Sequence, residues 1–180
     1  CSGSTRLELP YLPPFLEHLT LTCLDLASRA LPTLPATLRH LVCSYCSLKS
    51  LPDDLPPSLM HLDCDSNFNI SALPALLHTQ LTHINCRYNV GLTALPALPA
   101  TLKHLDCSMI SLPTLPDLPD SLVHLDCRSN GLTALPALPT GLTSLNCSSN
   151  KLTSLPDPLP PGLQTLRCYR NSLTSLPPLP

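Results

Sequence analysis

The amino-acid sequence predicts a repeat solenoid, in which a parallel β-sheet forms one side and extended segments return along the other. Three observations predict this fold. Residues 115–134 are repeated at matching offsets in residues 135–154, Leu-Pro pairs recur every 20 to 22 residues, and a short run with alternating apolar side chains follows each pair. A fixed period of this length is typical of repeat architectures, in which each unit buries its apolar face against its neighbours.

The repeats divide the chain into a polar tail, residues 1–8, and a repeat domain, residues 9–180. Eight units begin at residues 9, 31, 51, 73, 95, 115, 135 and 155, and a broken ninth begins at residue 176. The first unit is irregular, with Leu21 and Leu24 where later units carry cysteine and asparagine. Because a solenoid normally needs polar caps and neither end resembles one, we expect either a piece of a longer protein or ends that stack on other copies.

Each unit contains one short strand, for example around Leu125 and Cys127. These two apolar residues alternate with His124, Asp126 and Arg128, which is the period of a strand with one buried face. Stacking the units places the strands side by side in a parallel sheet. The inward positions should form the core, and the outward positions should form a polar surface.

The segment between strands should be extended rather than helical. Its two Leu-Pro pairs lack amide donors at proline and bias the preceding residue toward extended geometry, so we expect extended or polyproline II backbone. An asparagine lies at the corner that follows each strand in most units, and its side-chain amide suits the backbone groups of a tight turn. We interpret it as structural. These asparagines are Asn67, Asn89, Asn130, Asn150 and Asn171.

Composition argues against two kinds of partner. The formal net charge is −2 at pH 7 and the pI is about 6.4, so the electrostatic attraction that supplies non-specific nucleic-acid binding is missing. No apolar run approaches the roughly 20 residues needed to span a bilayer, since Pro, His, Asp or Ser interrupts each leucine cluster. We therefore expect no nucleic-acid partner and no membrane span.

The shared pattern L-P-x-L-P-x-x-L-x-x-L-x-C-x-x-N-x-L-x-x resembles the short bacterial subtype of leucine-rich repeat found in type III secreted effectors. The resemblance covers residues 9–180. It implies a curved leucine-rich repeat array with the parallel β-sheet on its concave side and the extended or polyproline II segments on its convex side. It also implies a protein-recognition surface on the sheet. The cysteine in each strand departs from many such effectors, which carry Val or Leu there.

Three functions are kept open. The first is a protein-protein interaction module whose partner, of unknown identity, binds on the concave face. The second is the substrate-recognition part of a bacterial effector ubiquitin ligase. Ligase activity is not expected of this chain, because the sequence given has no such domain after Pro180. The third is a structural array that assembles end to end.

For a bacterial protein of this type we expect secretion, delivery into a host cell or attachment to the cell surface. Attachment is suggested by the first four residues, Cys-Ser-Gly-Ser, which resemble the start of a mature lipoprotein whose cysteine carries lipid. The alternative is that the sequence simply begins at Cys1.

Seven of the ten cysteines form a column, one per unit, and should pack in the core as free thiols. In-register side chains on parallel strands point the same way, which disfavours disulfides, and collinear thiols do not converge on a metal. Cys46 takes the asparagine position of its unit, and Cys1 and Cys23 lie outside the column. The column consists of Cys43, Cys64, Cys86, Cys107, Cys127, Cys147 and Cys168.

The outward positions are the candidate functional surface. Histidine recurs three residues before the column in six consecutive units, with carboxylates beside it in several. One hypothesis is a pH-sensitive or metal-binding face. The alternative, which we prefer, is an exposed histidine copied by repeat duplication, so no cofactor or metal is expected.

Partner recognition is the role we assign to this surface. Tyr and Arg dominate interface hot spots, and Tyr45 and Tyr88 are further anchor candidates. Catalysis is not expected, because no nucleophile is held with His and Asp in a cleft. The predicted partner-binding residues are His40, His61, Asp63, His83, Arg87, His104, Asp106, His124, Asp126, Arg128, Arg167 and Tyr169.

Overall fold

The computed structural model describes residues 11–24, residue 26 and residues 31–180. In this part of the chain all strands belong to one parallel sheet, ordered as in the sequence, and there is no helix. The predicted repeat solenoid with a parallel sheet on one side is therefore confirmed. The strands are β1 (His18–Thr20), β2 (His40–Val42), β3 (His61–Asp63), β4 (His83–Asn85), β5 (His104–Asp106), β6 (His124–Asp126), β7 (Ser144–Asn146) and β8 (Thr165–Arg167).

The register of the sheet aligns equivalent positions of successive units. His40 pairs with His61, Leu41 with Leu62, and the same alignment continues between all neighbouring strands. Because side chains alternate across a strand, the middle residue of each strand points inward and its two neighbours point outward. Residues at one repeat position therefore form a straight row across the sheet.

The core is built from aliphatic layers and thiols. The middle residues of β2 to β7 are buried, as are the leucines that precede and follow each strand, such as Leu122 and Leu132 at 0% exposure. In the first unit Leu21 fills the cysteine position and is also buried. Each layer contacts only the layers beside it, which is why the core is long and narrow.

The corner asparagines have the structural role predicted for them. Asn130 Nδ2 donates to the carbonyls of Cys107 and Cys127, while its Oδ1 accepts from the amides of Ile110 and Leu112. One side chain thus satisfies backbone groups of two successive turns, which would otherwise be buried without partners. Asn67, Asn89, Asn150 and Asn171 donate in the same way.

The returning segments are extended, as predicted, but each ends in a hydrogen-bonded turn that the sequence did not indicate. The carbonyl of the second proline accepts from the leucine amide three residues later, as from Leu122 to Pro119 at 3.0 Å; in the unit that begins at Leu73, which lacks this proline, the Thr79 amide donates to the Leu76 carbonyl instead. A hydroxyl then ties neighbouring turns together, since Ser121 Oγ donates to the Leu102 carbonyl at 2.6 Å. Ser58 and Thr101 make equivalent bonds.

Several predictions concern residues outside the described part of the chain. These are the polar tail at residues 1–8, the start of the first unit at Leu9, and the lipid on Cys1. Within residues 11–24, 26 and 31–180, no helix is long and apolar enough to cross a membrane.

Candidate functional site

The candidate site is the outward side of the sheet, which we call the sheet face. Three rows of side chains run across it, at right angles to the strands. The first residue of β1 to β6 forms the histidine row, His18, His40, His61, His83, His104 and His124. The last residue of β3 to β7 forms the Asx row, Asp63, Asn85, Asp106, Asp126 and Asn146. The third row lies two residues farther along, where a unit has Ser, Thr, Asp, Arg or Tyr.

Neighbouring imidazoles in the histidine row lie against one another. The ring centroids of His83 and His104 are 4.1 Å apart with an interplanar angle of 9°, and those of His104 and His124 are 4.4 Å apart. Centroid distances across the whole row range from 4.1 Å to 5.8 Å. The register of the parallel sheet produces this contact, because it repeats one side chain at every strand spacing.

This packing favours neutral imidazole. Burial lowers the pKa of His40, His83 and His104, and the neighbouring histidines lower it further, since a second positive charge at this distance is repelled. Arg39 acts in the same direction on His40, and Lys103 does so on His83 and His104. The Nδ1 atom of His40 is buried without a hydrogen-bond partner among the described residues, so charging this ring would carry an added cost.

The Asx row caps the backbone at the end of the strands. In each member the side-chain Oδ1 accepts from the amide two residues later, as Asp106 does from Ser108 at 3.0 Å and Asn146 from Ser148 at 3.3 Å. Asp and Asn supply the same oxygen, which explains how both occur in one row. The carboxylates predicted as partner-binding residues therefore also have a structural function.

Two arginines of the third row form ion pairs, one with the Asx row and one within the third row. Arg128 Nη1 lies 3.0 Å from Asp126 Oδ2, and Arg87 Nη2 lies 3.1 Å from Asp65 Oδ2. The Arg87 guanidinium also lies over the Tyr88 ring, 5.7 Å from its centroid. Burial and the neighbouring Asp106 raise the pKa of Asp126, while the hydrogen bonds from Arg128 and Asn146 oppose that rise.

An open groove with a volume of about 310 Å³ runs along the sheet face between the first two rows. The side chains of the two rows form its walls. Seven of the predicted partner-binding residues line it, namely His61, His83, His104, Asp106, His124, Asp126 and Arg167. The remaining five, His40, Asp63, Arg87, Arg128 and Tyr169, lie on the same face outside the groove.

The sequence-based selection missed three polar residues of the groove, Asn85, Ser144 and Asn146. They occupy the same repeat positions as the predicted histidines and aspartates, so the register alone could have identified them. The selection favoured charged residues and histidines and therefore omitted these uncharged members.

The cysteine column lies behind the sheet and takes no part in this face. Cys43 through Cys147 are buried and Cys168 is half-buried, and all described cysteines are free. Burial raises the pKa of the buried column thiols, Cys43 through Cys147, for example that of Cys147 to about 12, which keeps them protonated and unreactive. Cys46 occupies an asparagine position, where its amide donates to Asn67 Oδ1. No three potential metal ligands converge within the described ranges.

Comparisons with known proteins agree with the fold. The family model described as Leucine Rich Repeat matches residues 141–161. YopM from Yersinia enterocolitica WA-314 has 42% sequence identity and a TM-score of 0.89, over 96% of this chain and 37% of that chain. YopM from Yersinia pestis, described as a leucine-rich effector protein, has 35% identity and a TM-score of 0.84, over 96% of this chain and 48% of that chain.

A leucine-rich repeat domain of a Shigella effector is also similar, with 38% identity and a TM-score of 0.58, over 78% of this chain and 53% of that chain. The search of curated proteins found no match. These similarities confirm the resemblance to bacterial effector repeats. The chain spans about half the length of these structures or less.

Proposed function

Since this chain is a leucine-rich repeat protein of the bacterial effector-like type, we propose that it binds a partner protein on its sheet face. Leucine-rich repeat solenoids are interaction scaffolds whose stacked units create extended binding surfaces. The proposal concerns the face that is used and the side chains that contact the partner.

The groove is the observation that carries the proposal. Residues from six successive strands, β3 to β8, line it, and they include imidazoles, carboxylates, amides and one guanidinium. Ligand sites are usually concave and combine apolar walls with a few placed polar groups. Ile84, Leu105 and Leu125 form the floor between the two polar rows, while their side chains point into the core.

Side chains around the groove have the properties of interface anchors. Tyr169 is 57% exposed at the end of the third row, and Arg167 is exposed at the last strand. Arg87 and Arg128 are held by ion pairs, so their orientation is set before a partner arrives. Anchors that are already ordered lose less conformational freedom on binding.

Site-specific photocrosslinking tests the face directly. A benzoylphenylalanine is placed at His124 or Ser144 on the sheet face, and at Ala97 or Ala137 on the exposed return side as matched controls. We expect the sheet-face variants to cross-link one protein species from a cell extract, identified by mass spectrometry, and the return-side variants to leave it free.

Only variants whose circular dichroism spectrum matches that of the unmodified protein are compared, so that every variant tested is folded. Cross-links that form equally well from both sides, or only from Ala97 and Ala137, would reject the sheet face as the binding surface. A Tyr169→Ala change should then reduce capture of the identified partner without altering thermal unfolding, since this side chain is exposed.

A further inference from the structure

The groove contains two charged groups whose hydrogen-bonding capacity is not fully used within the described part of the chain. Asp106 Oδ1 accepts from the Ser108 amide and hydroxyl, at 3.0 Å and 2.6 Å, but its Oδ2 has no partner there. Asp63 and Asp126 differ, because both of their carboxylate oxygens accept hydrogen bonds. Asp106 is therefore the row member with an acceptor available to a ligand.

Arg167 is the complementary group at the far end of the groove. It is exposed on β8, beside Asn146 of β7, and forms no ion pair with the described residues. Arg87 and Arg128, in contrast, already contact carboxylates. The groove thus has an available negative group near its middle and an available positive group at its end.

The sheet register sets the separation of these two groups. Asp106 and Arg167 occupy the same strand position on β5 and β8, three strand spacings apart. At about 4.8 Å per spacing this is roughly 14 Å. An extended peptide covers that distance in about four residues, at about 3.3 Å each.

We propose that the groove binds an extended peptide segment of a partner, with a Lys or Arg side chain against Asp106 and an Asp or Glu side chain, about four residues away, against Arg167. The proposal rests on the proposed function and adds the chemistry of the partner. Charge complementarity supports this occupant over an apolar one, because the groove presents an available carboxylate near its middle and an available guanidinium at its end. The segment runs across the strands, parallel to the histidine row.

A random dodecapeptide library displayed on phage, panned against the full chain at pH 7.5 under reducing conditions, tests the pattern. We expect enriched sequences to carry a basic and an acidic residue about four positions apart, in excess over the unselected library. Enriched sequences without this spacing, or no enrichment, would overturn the proposal.

Charge-removing variants then test the assigned contacts with one enriched peptide, by fluorescence anisotropy. Asp106→Asn and Arg167→Gln should each weaken binding about threefold to fivefold, the range of an exposed ion pair. Asn at position 106 keeps the oxygen that caps Ser108, as Asn85 and Asn146 do in the same row. Asp117→Asn and Lys151→Gln remove the same charges from exposed positions outside the groove and should leave the affinity unchanged.

Charge reversal completes the test. Arg167→Glu should weaken binding of the peptide more than Arg167→Gln does, since it adds repulsion to the lost ion pair, and replacing the acidic residue of the peptide with Lys should restore the affinity. Equal losses from Asp106→Asn and Asp117→Asn would contradict the proposal, since a general charge effect would then explain both. If the peptides do not bind but the sheet-face variants still cross-link a partner, only the proposed peptide chemistry is rejected. If cross-links form from the return side alone, the proposed function is rejected.

Discussion

The residue two places after the cysteine position adopts a left-handed backbone in every described turn. Its φ lies between 54° and 59° at Cys23, Tyr45, Ser66, Tyr88, Met109, Ser129, Ser149 and Arg170. This conformation costs a non-glycine residue about 1 kcal/mol or more. It also directs the amide toward the next turn, as from Tyr88 to the Ser108 carbonyl at 3.1 Å, so a hydrogen bond offsets the cost at all of these positions except Arg170 in the last unit.

Two buried asparagines allow the contribution of the corner side chain to the free energy of unfolding to be measured. Asn67 and Asn89 are both 0% exposed, and the Nδ2 of each donates to two cysteine carbonyls. Only Asn67 Oδ1 accepts backbone amides, those of Cys46 and Leu48, whereas Asn89 Oδ1 has no partner among the described residues. In the turn before Asn89, the Ile70 amide donates a hydrogen bond to the Asn67 carbonyl and therefore does not need the Asn89 side chain.

We therefore expect Asn67→Ala to lower the free energy of unfolding by about 2 kcal/mol more than Asn89→Ala. An unpaired buried backbone donor costs about 1 to 3 kcal/mol, and Asn67→Ala creates two that Asn89→Ala does not. Urea denaturation under reducing conditions measures both losses. Equal destabilisation by the two substitutions would show that Oδ1 contributes nothing at the corner.

The histidine row is formed by six strands of the sheet, and it makes the free energy of unfolding depend on pH. Burial and mutual repulsion lower the folded-state pKa of His40, His83 and His104 below the unfolded value of about 6.5. The unfolded chain therefore binds more protons just below that pH. Stability is fully present above it and is lost as pH falls toward the folded-state values.

Replacing these three histidines with Gln should flatten the dependence of unfolding free energy on pH between about 7.5 and 5.5, the range around the unfolded histidine pKa. Urea titrations at a series of pH values provide the measurement. The His78→Gln variant is the control, since this histidine lies in a return segment and contacts the Leu55 carbonyl. A triple variant with an unchanged slope would exclude the row as the source.

At the scale of the whole molecule, the sequence predicted the repeating strands and their register. It did not predict the left-handed backbone of the turns or the hydrogen bonds that offset its cost. The strand register followed from the spacing of Leu125, Cys127 and their equivalents, because one layer can stack on the next only in that alignment. The left-handed position was hidden, since Cys, Tyr, Ser, Met and Arg occupy it and none of these residue types favours a positive φ. A backbone hydrogen bond to the next turn stabilises this left-handed conformation, and such a bond cannot be predicted from the residue types.

The candidate site divides in the same way. Which residues share the sheet face could be predicted from the period alone. The available oxygen of Asp106 could not, because it depends on the residue one strand away, where Asp126 has no donor and Asn85 and Asn146 serve Asp63 and Asp126 instead. Charges that look equivalent in the sequence are therefore unequal in the folded row.

A stack in which each unit contacts only its neighbours should survive the removal of one complete unit. Deleting residues 135–154 joins Ala134 directly to Leu155, so Ala134 takes the position before the Leu-Pro pair that Ser154 has now. Seven of the eight strands remain. Strand β6 can then pair with β8, and Asn171 can cap Leu132 as it now caps Leu152. We expect cooperative unfolding with an m-value about one-eighth lower, since the m-value scales with the surface that unfolding exposes.

A deletion of half this length distinguishes repeat stacking from general tolerance. Removing residues 135–144 takes away one returning segment and the first residue of β7, so the remaining half-unit cannot bring its strand into register. We expect this variant to lose the sheet signal in circular dichroism, although fewer residues are missing. If the shorter deletion were the better tolerated of the two, stability would depend on chain length, and the layer-by-layer account of this solenoid would fail.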